Sequence, residues 1–294
     1  MSTTNVGFIG LGNIGKPIAQ NLVTKGPGKG LAVSVYDVMP EPVEEMVALG
    51  ATAAANPAQM ASSCDIIGLC VRNDDDVESL LYGEGGLLEN MGEDSVIAIH
   101  STVKYANMLR WADEGKSKNI HIIDAPVSGR EGATSAAEGD LAYMVGGDAE
   151  VLERCRPMFE TAASNIVHAG PIGTGIVYKT ANNLATFSSY VIASEAVKLL
   201  DAFGLDPSVW YDGIVETNTA LAHSVRKFIG GREMAASLND DNLNKYMAQM
   251  AGLGEKDISL ALTLAQDKGT ELPVTAEVSK QVVNAFLKQG QQRF

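Results

Sequence analysis

A strand, a glycine-rich turn and a helix start are written into residues 6–23. The apolar run Val6-Gly7-Phe8-Ile9 passes directly into Gly10-Leu11-Gly12-Asn13-Ile14-Gly15, and then into Lys16-Pro17-Ile18-Ala19-Gln20-Asn21-Leu22-Val23, whose apolar residues recur at helical spacing. Glycines at these intervals allow a tight turn and let backbone N–H groups come close to a pyrophosphate. The positive end of the helix dipole favours the same anion. Gly10, Leu11, Gly12, Asn13, Ile14 and Gly15 are therefore the expected dinucleotide cradle. With 30 glycines in 294 residues the pattern alone is weak, and its context carries the weight. A second strand-like run, Leu31-Ala32-Val33-Ser34-Val35-Tyr36, ends in Asp37, 22 residues after Gly15. That is near the spacing of the acid that bonds an adenosine ribose. A carboxylate there accepts from both ribose hydroxyls and repels a 2′-phosphate, so the expected cofactor is NAD in preference to NADP.

A second group of residues could move protons and hold an acid. In Gly170-Pro171-Ile172-Gly173-Thr174-Gly175-Ile176-Val177-Tyr178-Lys179-Thr180-Ala181-Asn182-Asn183, Lys179 and Asn183 stand at i and i+4 and share a helix face. A lysine near the start of a long apolar helix is costly to bury. Burial and a nearby oxidised nicotinamide would lower its pKa, fitting it to act as general base toward an alcohol or general acid toward a carbonyl. The alternative is a surface lysine whose head reaches solvent. In Asp124-Ala125-Pro126-Val127-Ser128-Gly129-Arg130-Glu131-Gly132-Ala133, a strand end opens into a loop of small residues. There the Ser128 hydroxyl and the N–H groups of Gly129 and Arg130 could hold a carboxylate; a plain turn is the simpler reading. Histidine is a rival base. Of His100, His121, His168 and His223, His100 is best placed, at a strand end beside Ser101-Thr102, but no carboxylate partner is evident.

The elements that must position these residues alternate through the first half. A helix is expected around Pro40 to Leu49. The apolar runs Cys64 to Val71, Val96 to Ile99, Ile120 to Ile123, Leu141 to Val145 and Ile166-Val167 read as strands. Gly26-Pro27-Gly28-Lys29-Gly30 reads as a flexible loop. Strands separated by short helices predict a doubly wound parallel sheet, with ligands beyond the carboxyl ends of the strands. After about Gly173 strand patterns vanish. Leu184, Phe187, Val191, Ala196, Leu199, Leu200 and Phe203 trace a helical stripe, stopped by Gly204. Further helical runs are Leu243 to Leu253, Ile258 to Lys268 and about Val274 to Gln289. The expected architecture is an α/β Rossmann-type doubly wound domain, 1–173, followed by an all-α domain, 174–294, joined by a long helix.

Composition narrows the class. At 46% hydrophobic residues the chain suits a globular fold, and its length favours two domains. A net charge of -14 without a basic, aromatic-interleaved patch argues against nucleic acid as a partner. Cys64, Cys70 and Cys155 fit no metal spacing and read as reduced thiols, so no metal is expected. The most apolar long segment, about Ile176 to Phe203, carries Lys179, Asn182, Asn183, Glu195, Lys198 and Asp201, which excludes a membrane span. No secretory signal is visible, and a cytoplasmic location is expected.

Four motifs in order resemble the β-hydroxyacid dehydrogenase family, which includes 3-hydroxyisobutyrate dehydrogenase and tartronate semialdehyde reductase. They are Phe8 to Gly15, Asp124 to Gly129, Gly170 to Asn183, and Lys256-Asp257-Ile258-Ser259-Leu260-Ala261. The resemblance covers nearly the whole chain. It implies reversible NAD-dependent oxidation of a small β-hydroxy acid to its semialdehyde, with Lys179 as acid/base and Ser128, Gly129 and Asn183 positioning the substrate. It also implies Thr102 near the nicotinamide ribose, Lys256 closing over the cofactor, and a dimer or tetramer formed through the helical part. Val71 and Asn73 complete the expected cofactor set. The family usually shows Ser-Gly-Gly where this chain has Ser128-Gly129-Arg130. Arg130 either adds an anion contact for a second acidic group on the substrate or points to solvent and pairs with Glu131. Other readings are a reductase of tartronate, succinic or glyoxylic semialdehyde type, an imine reductase, and a catalytically silent NAD-binding module. Retention of Lys179 argues against the last two. A 6-phosphogluconate-type enzyme would be much longer at its C-terminal end.

Overall fold

The computed structural model describes residues 3–215 and 240–287. The chain divides into two compact units, Met1–Lys179 and Thr180–Phe294.

The first unit alternates strands and helices in chain order: β1 (Thr4–Ile9), α1 (Gly15–Lys25), β2 (Leu31–Tyr36), α2 (Pro40–Ala48), β3 (Thr52–Ala53), α3 (Pro57–Ser63), β4 (Ile66–Leu69), α4 (Asp74–Tyr82), α5 (Leu87–Asn90), β5 (Val96–Ile99), α6 (Tyr105–Ser117), β6 (His121–Asp124), β7 (Val127–Ser128), α7 (Ala133–Glu138), β8 (Leu141–Gly146), α8 (Ala149–Phe159), β9 (Ala163–Gly170) and the start of α9 (Thr174–Ala202). The sheet order is β3-β2-β1-β4-β5-β6-β8-β7, with β9 pairing β8. The strands from β3 to β6 are parallel. Side chains alternate across this sheet and feed two cores. One joins Val6, Phe8, Val33, Val35 and Ala98 to Ile18 and Leu22 of α1 and Leu152 of α8. The other joins Ile9, Ile67, Leu69, Ile97 and Ile99 to Val77 of α4, Trp111 of α6 and Ile176 of α9. Chain order reverses between β1 and β4, the switch point beyond whose carboxyl ends sheets of this kind bind their ligands.

Three local expectations are corrected. β8 runs antiparallel to β6 and β7. Asp124 of β6 pairs with Gly146, and Val127 and Ser128 of β7 pair with Tyr143 and Ala142, so β8 returns beside both strands in the opposite direction. The segment 26–30 is not a flexible loop. It forms a 3-10 turn, Pro27–Lys29, closed by Gly30 at φ +77°, and Lys29 pairs with Glu160 at 2.7 Å. The third correction concerns the last helix, below.

The second unit is helical where it is described. It holds the remainder of α9, α10 (Pro207–Gly213), and helices Asp240–Asp267, Pro273–Ser279 and Val282–Leu287. Leu243 to Leu253 and Ile258 to Lys268 thus belong to one continuous helix, apart from Lys268 just beyond its end. The single helix expected from Val274 is broken at Lys280 and Gln281, where i→i−3 bonds to Glu277 and Val278 carbonyls tighten the turn; residues 288 and 289 lie outside the described ones. Phe187, Tyr190 and Val191 pack with Met247, Ile258, Val282 and Phe286, and the Tyr190 and Phe286 rings stack at 4.2 Å. Gly204, at φ +66°, ends α9. Among the described residues no helix is long and apolar enough to cross a membrane.

Candidate active site

The cradle is formed by backbone. Gly10 leaves β1 at φ +96°, and a Cβ there would lie 2.3 Å from the Cys70 carbonyl oxygen. A Cβ on Gly15 would lie 2.0 Å from the Gly10 oxygen, so the helix start can only close on a glycine. Gly12 differs: a Cβ there meets nothing within 4 Å. Its open face leaves room for a group that is not protein. The N-cap Ile14 of α1 makes no side-chain cap, and no acid stands in the first turn. A helix N-terminus with its amides uncapped by side chains suits a pyrophosphate, so the residues present fit a dinucleotide.

Neighbouring strands end at the same edge of the sheet. Asp37 stands at the end of β2, half-buried, with Oδ2 accepting from the Leu11 N–H at 2.6 Å and Oδ1 from the Met39 N–H at 2.8 Å. Its carboxylate is thereby tied to the cradle itself. Val71, just past β4, donates its N–H to Ser101 Oγ at 2.9 Å, and Ser101 donates to the Val71 carbonyl at 2.7 Å. This exchange pins the ends of β4 and β5 together, with Thr102 next in sequence. Asn73 is the N-cap of α4, its side chain accepting from the Asp76 N–H at 2.9 Å.

The Ser128 loop is set by packing on its inner side. Ser128 is the last residue of β7 and half-buried. A Cβ on Gly129 would lie 2.6 Å from Ser135 Cβ and 2.9 Å from Leu141, so a glycine is required there whatever else it binds. Ser135 Oγ also accepts from the Glu131 N–H at 3.1 Å. Arg130 is exposed and, among the described residues, forms no ion pair with Glu131.

Lys179 is half-buried in the second turn of α9. The start of that helix is held by Asp124, a residue that sequence reading left as a strand end. Its side chain is fully buried. Oδ1 accepts from the Gly173 N–H at 2.6 Å and Oδ2 from the Ile176 N–H at 2.8 Å. Burial pushes its carboxyl above the ordinary range, against the pull of the Gly173, Ile176 and Gly175 amides. The available signal was a helix of 29 residues preceded by glycine, with no local side chain to cap it. Of the rival bases, His223 lies outside the described residues and His100 is a buried ring. Its ring is buried among Phe8, Tyr143 and Phe159, its Nδ1 bonds the Ala125 carbonyl at 2.9 Å, and burial lowers its pKa to about 4. Burial pushes the thiols of Cys70 and Cys155 up to about 12.

In the second unit, Asn183 of α9 is buried and donates from Nδ2 to Asp257 Oδ2 at 2.6 Å. The other oxygen of Asp257 lies 3.3 Å from Lys256 Nζ. One buried acid therefore draws together residues of two motifs read separately from the sequence. Asp257 was in view as part of the second motif, but its partner lies 74 residues away.

Residues 5–170 match the family model described as the NAD binding domain of 6-phosphogluconate dehydrogenase. Residues 173–293 match that of the NAD-binding of NADP-dependent 3-hydroxyisobutyrate dehydrogenase. The chain is 33% identical to a 2-(hydroxymethyl)glutarate dehydrogenase of Eubacterium barkeri, over 92% of this chain and 85% of the relative. It is 31% identical to an NAD-dependent L-serine dehydrogenase of Pseudomonas aeruginosa, over 97% and 93%. A solved structure of a putative oxidoreductase from Mycobacterium avium is 39% identical, with a TM-score of 0.67, covering 96% of this chain and 98% of that one.

Proposed function

This chain belongs to the β-hydroxyacid dehydrogenase family and is a nicotinamide-dependent oxidoreductase acting on hydroxyl groups, and from that premise we propose that it interconverts a small β-hydroxy acid and its semialdehyde with NAD. Lys179 is the general acid/base. In its neutral form it takes the hydroxyl proton of the alcohol, and in the reverse direction the ammonium returns a proton to the carbonyl oxygen. The bound nicotinamide supplies the hydride acceptor. Ser128, Gly129 and Asn183 hold the substrate carboxylate, and Thr102, Val71, Asn73 and Lys256 serve the cofactor. The observation that supports this reading best is the buried Asn183–Asp257–Lys256 cluster, which gathers residues of two of the four motifs around one acid.

Asp37 supports NAD over NADP, since its carboxylate would repel a 2′-phosphate. Arg130, exposed and without an ion-pair partner among the described residues, supports a substrate with a second acidic group, and one relative is named for such a hydroxy acid. Apolar Ile192 and Leu199 of α9, and Phe203 just past its end, lie exposed and support assembly as a dimer or tetramer.

The test is NAD reduction with 3-hydroxyisobutyrate, L-serine and 2-(hydroxymethyl)glutarate. The expected result is turnover of at least one, a roughly 1000-fold loss of kcat in Lys179→Ala with NADH still bound, and a loss for the diacid alone in Arg130→Ala. Turnover by Lys179→Ala at the normal rate would remove the lysine from its role. NADH binding without turnover of any acid would favour a silent module or imine chemistry.

A further inference from the structure

Resting on the reading of Lys179 as the acid/base, we propose that Asp124 is a positioning residue for it: the buried carboxylate clamps the first turn of α9 to the end of β6 and so fixes where the ammonium stands. Helix starts are ordinarily capped by the side chain that precedes them. Here that residue is Gly173, which has none, and the acceptor comes from 49 residues earlier in the chain. Both carboxylate oxygens are used, on two different amides of one turn, at 2.6 and 2.8 Å. Two-point attachment fixes rotation about the helix axis as well as position along it; a single bond would leave the turn free to swivel.

The surroundings are shaped around this clamp. A Cβ on Gly146 would lie 2.4 Å from Asp124 Oδ1, and one on Gly175 would lie 2.7 Å from Oδ2 and 2.2 Å from the Met144 oxygen. Glycine on both sides gives the carboxylate its space. Ile176, whose amide is held, is itself fully buried. Lys179 follows three residues later, about 4.5 Å along the axis, with no break in the helix to absorb a shift. Asp124 also begins the run that leads to Ser128, so one strand end sets the start of the substrate loop and the start of the lysine helix together.

The experiment is a double-mutant cycle of Asp124→Asn and Lys179→Ala, read as kcat, KM and NADH affinity with the three acids named above. Asn keeps the shape but offers one oxygen to two amides. The expected result is a kcat loss of roughly 100-fold in Asp124→Asn with NADH affinity retained. The double variant is expected to be no slower than Lys179→Ala alone, because the clamp acts only through the lysine. Multiplying losses, or a near-normal kcat in Asp124→Asn, would overturn the proposal while leaving Lys179 in its role. Normal turnover by Lys179→Ala would instead sink the acid/base reading, and the clamp with it. Should Asp124→Asn fail to fold, Gly146→Ala, whose methyl displaces the carboxylate without removing it, is expected to give the same kcat loss. Failure of both to fold would reduce Asp124 to a structural cap.

Discussion

Asp37 and Asp124 end two strands of one sheet, and each carboxylate accepts two backbone N–H groups, at 2.6 and 2.8 Å in both cases. The bonds are alike and the settings are opposite. Asp37 is half-buried at the end of β2, and its carboxylate retains lone pairs for a ligand after serving Leu11 and Met39. Asp124 is sealed from solvent and spends its capacity on the start of α9. Access to water thus separates an acid that still has lone pairs to offer from one that is wholly part of the framework.

Stability separates the two most sharply. Asp124→Ala strands the buried amides of Gly173 and Ile176, each costing about 1–3 kcal/mol, so a loss of about 3 kcal/mol or more is expected in urea unfolding. Asp37 is half-buried where water reaches its carboxylate, and Asp37→Ala is expected to cost less than about 1 kcal/mol. Equal losses at the two positions would erase the distinction drawn from burial.

His100 sharpens the framework side, because it holds the carbonyl next to Asp124. The unfolded chain protonates this histidine near 6.5, whereas burial lowers the folded value to about 4. Between those values the unfolded state binds more protons. The contribution is therefore intact above pH 6.5 and lost as pH falls toward 4, up to about 3 kcal/mol. Unfolding midpoints of wild type and His100→Asn from pH 7.5 to 4.5 would test this. The expected outcome is a shallower decline in the variant, and parallel curves would mean that His100 titrates at its ordinary value.

The ligand side is read by cofactor choice. Asp37→Ala is expected to weaken NADH binding by roughly 10- to 100-fold, the worth of charge-assisted hydrogen bonds, and to erode the preference over NADPH. Asp124→Asn should leave that ratio unchanged. A ratio unmoved by Asp37→Ala would assign the carboxylate to the loop alone.

What could be read from the sequence follows the same division. The β1–α1–β2 unit lies within 37 residues, so turn, helix start and acid announce one another, and Asp37 was identified by spacing. The Leu11 amide it holds is 26 residues away within that unit. Asp124 and Gly173 are 49 residues apart and Asn183 and Asp257 are 74, with intervening elements whose course depends on how the sheet closes. The antiparallel β8 was hidden for a related reason. Its apolar alternation is the same in either direction. Gly129 was read as a substrate contact, but its need to be glycine comes from Ser135 and Leu141, which spacing does not reveal.

The smallest expected effect bears on the cradle itself. Gly10 and Gly15 are glycines for reasons inside the protein, a positive φ and a 2.0 Å approach to a carbonyl oxygen. Alanine at Gly15 is accordingly expected to lower Tm whether or not cofactor is present. Gly12 has no such reason, since nothing lies within 4 Å of where its Cβ would stand. A methyl there would meet only what approaches the turn from outside. Gly12→Ala is therefore expected to keep the Tm of the free protein and to weaken NADH by roughly tenfold, about 1.4 kcal/mol. NADH binding unchanged in Gly12→Ala would place the pyrophosphate elsewhere, and the strand end at Asp37 would lose its claim to the cofactor.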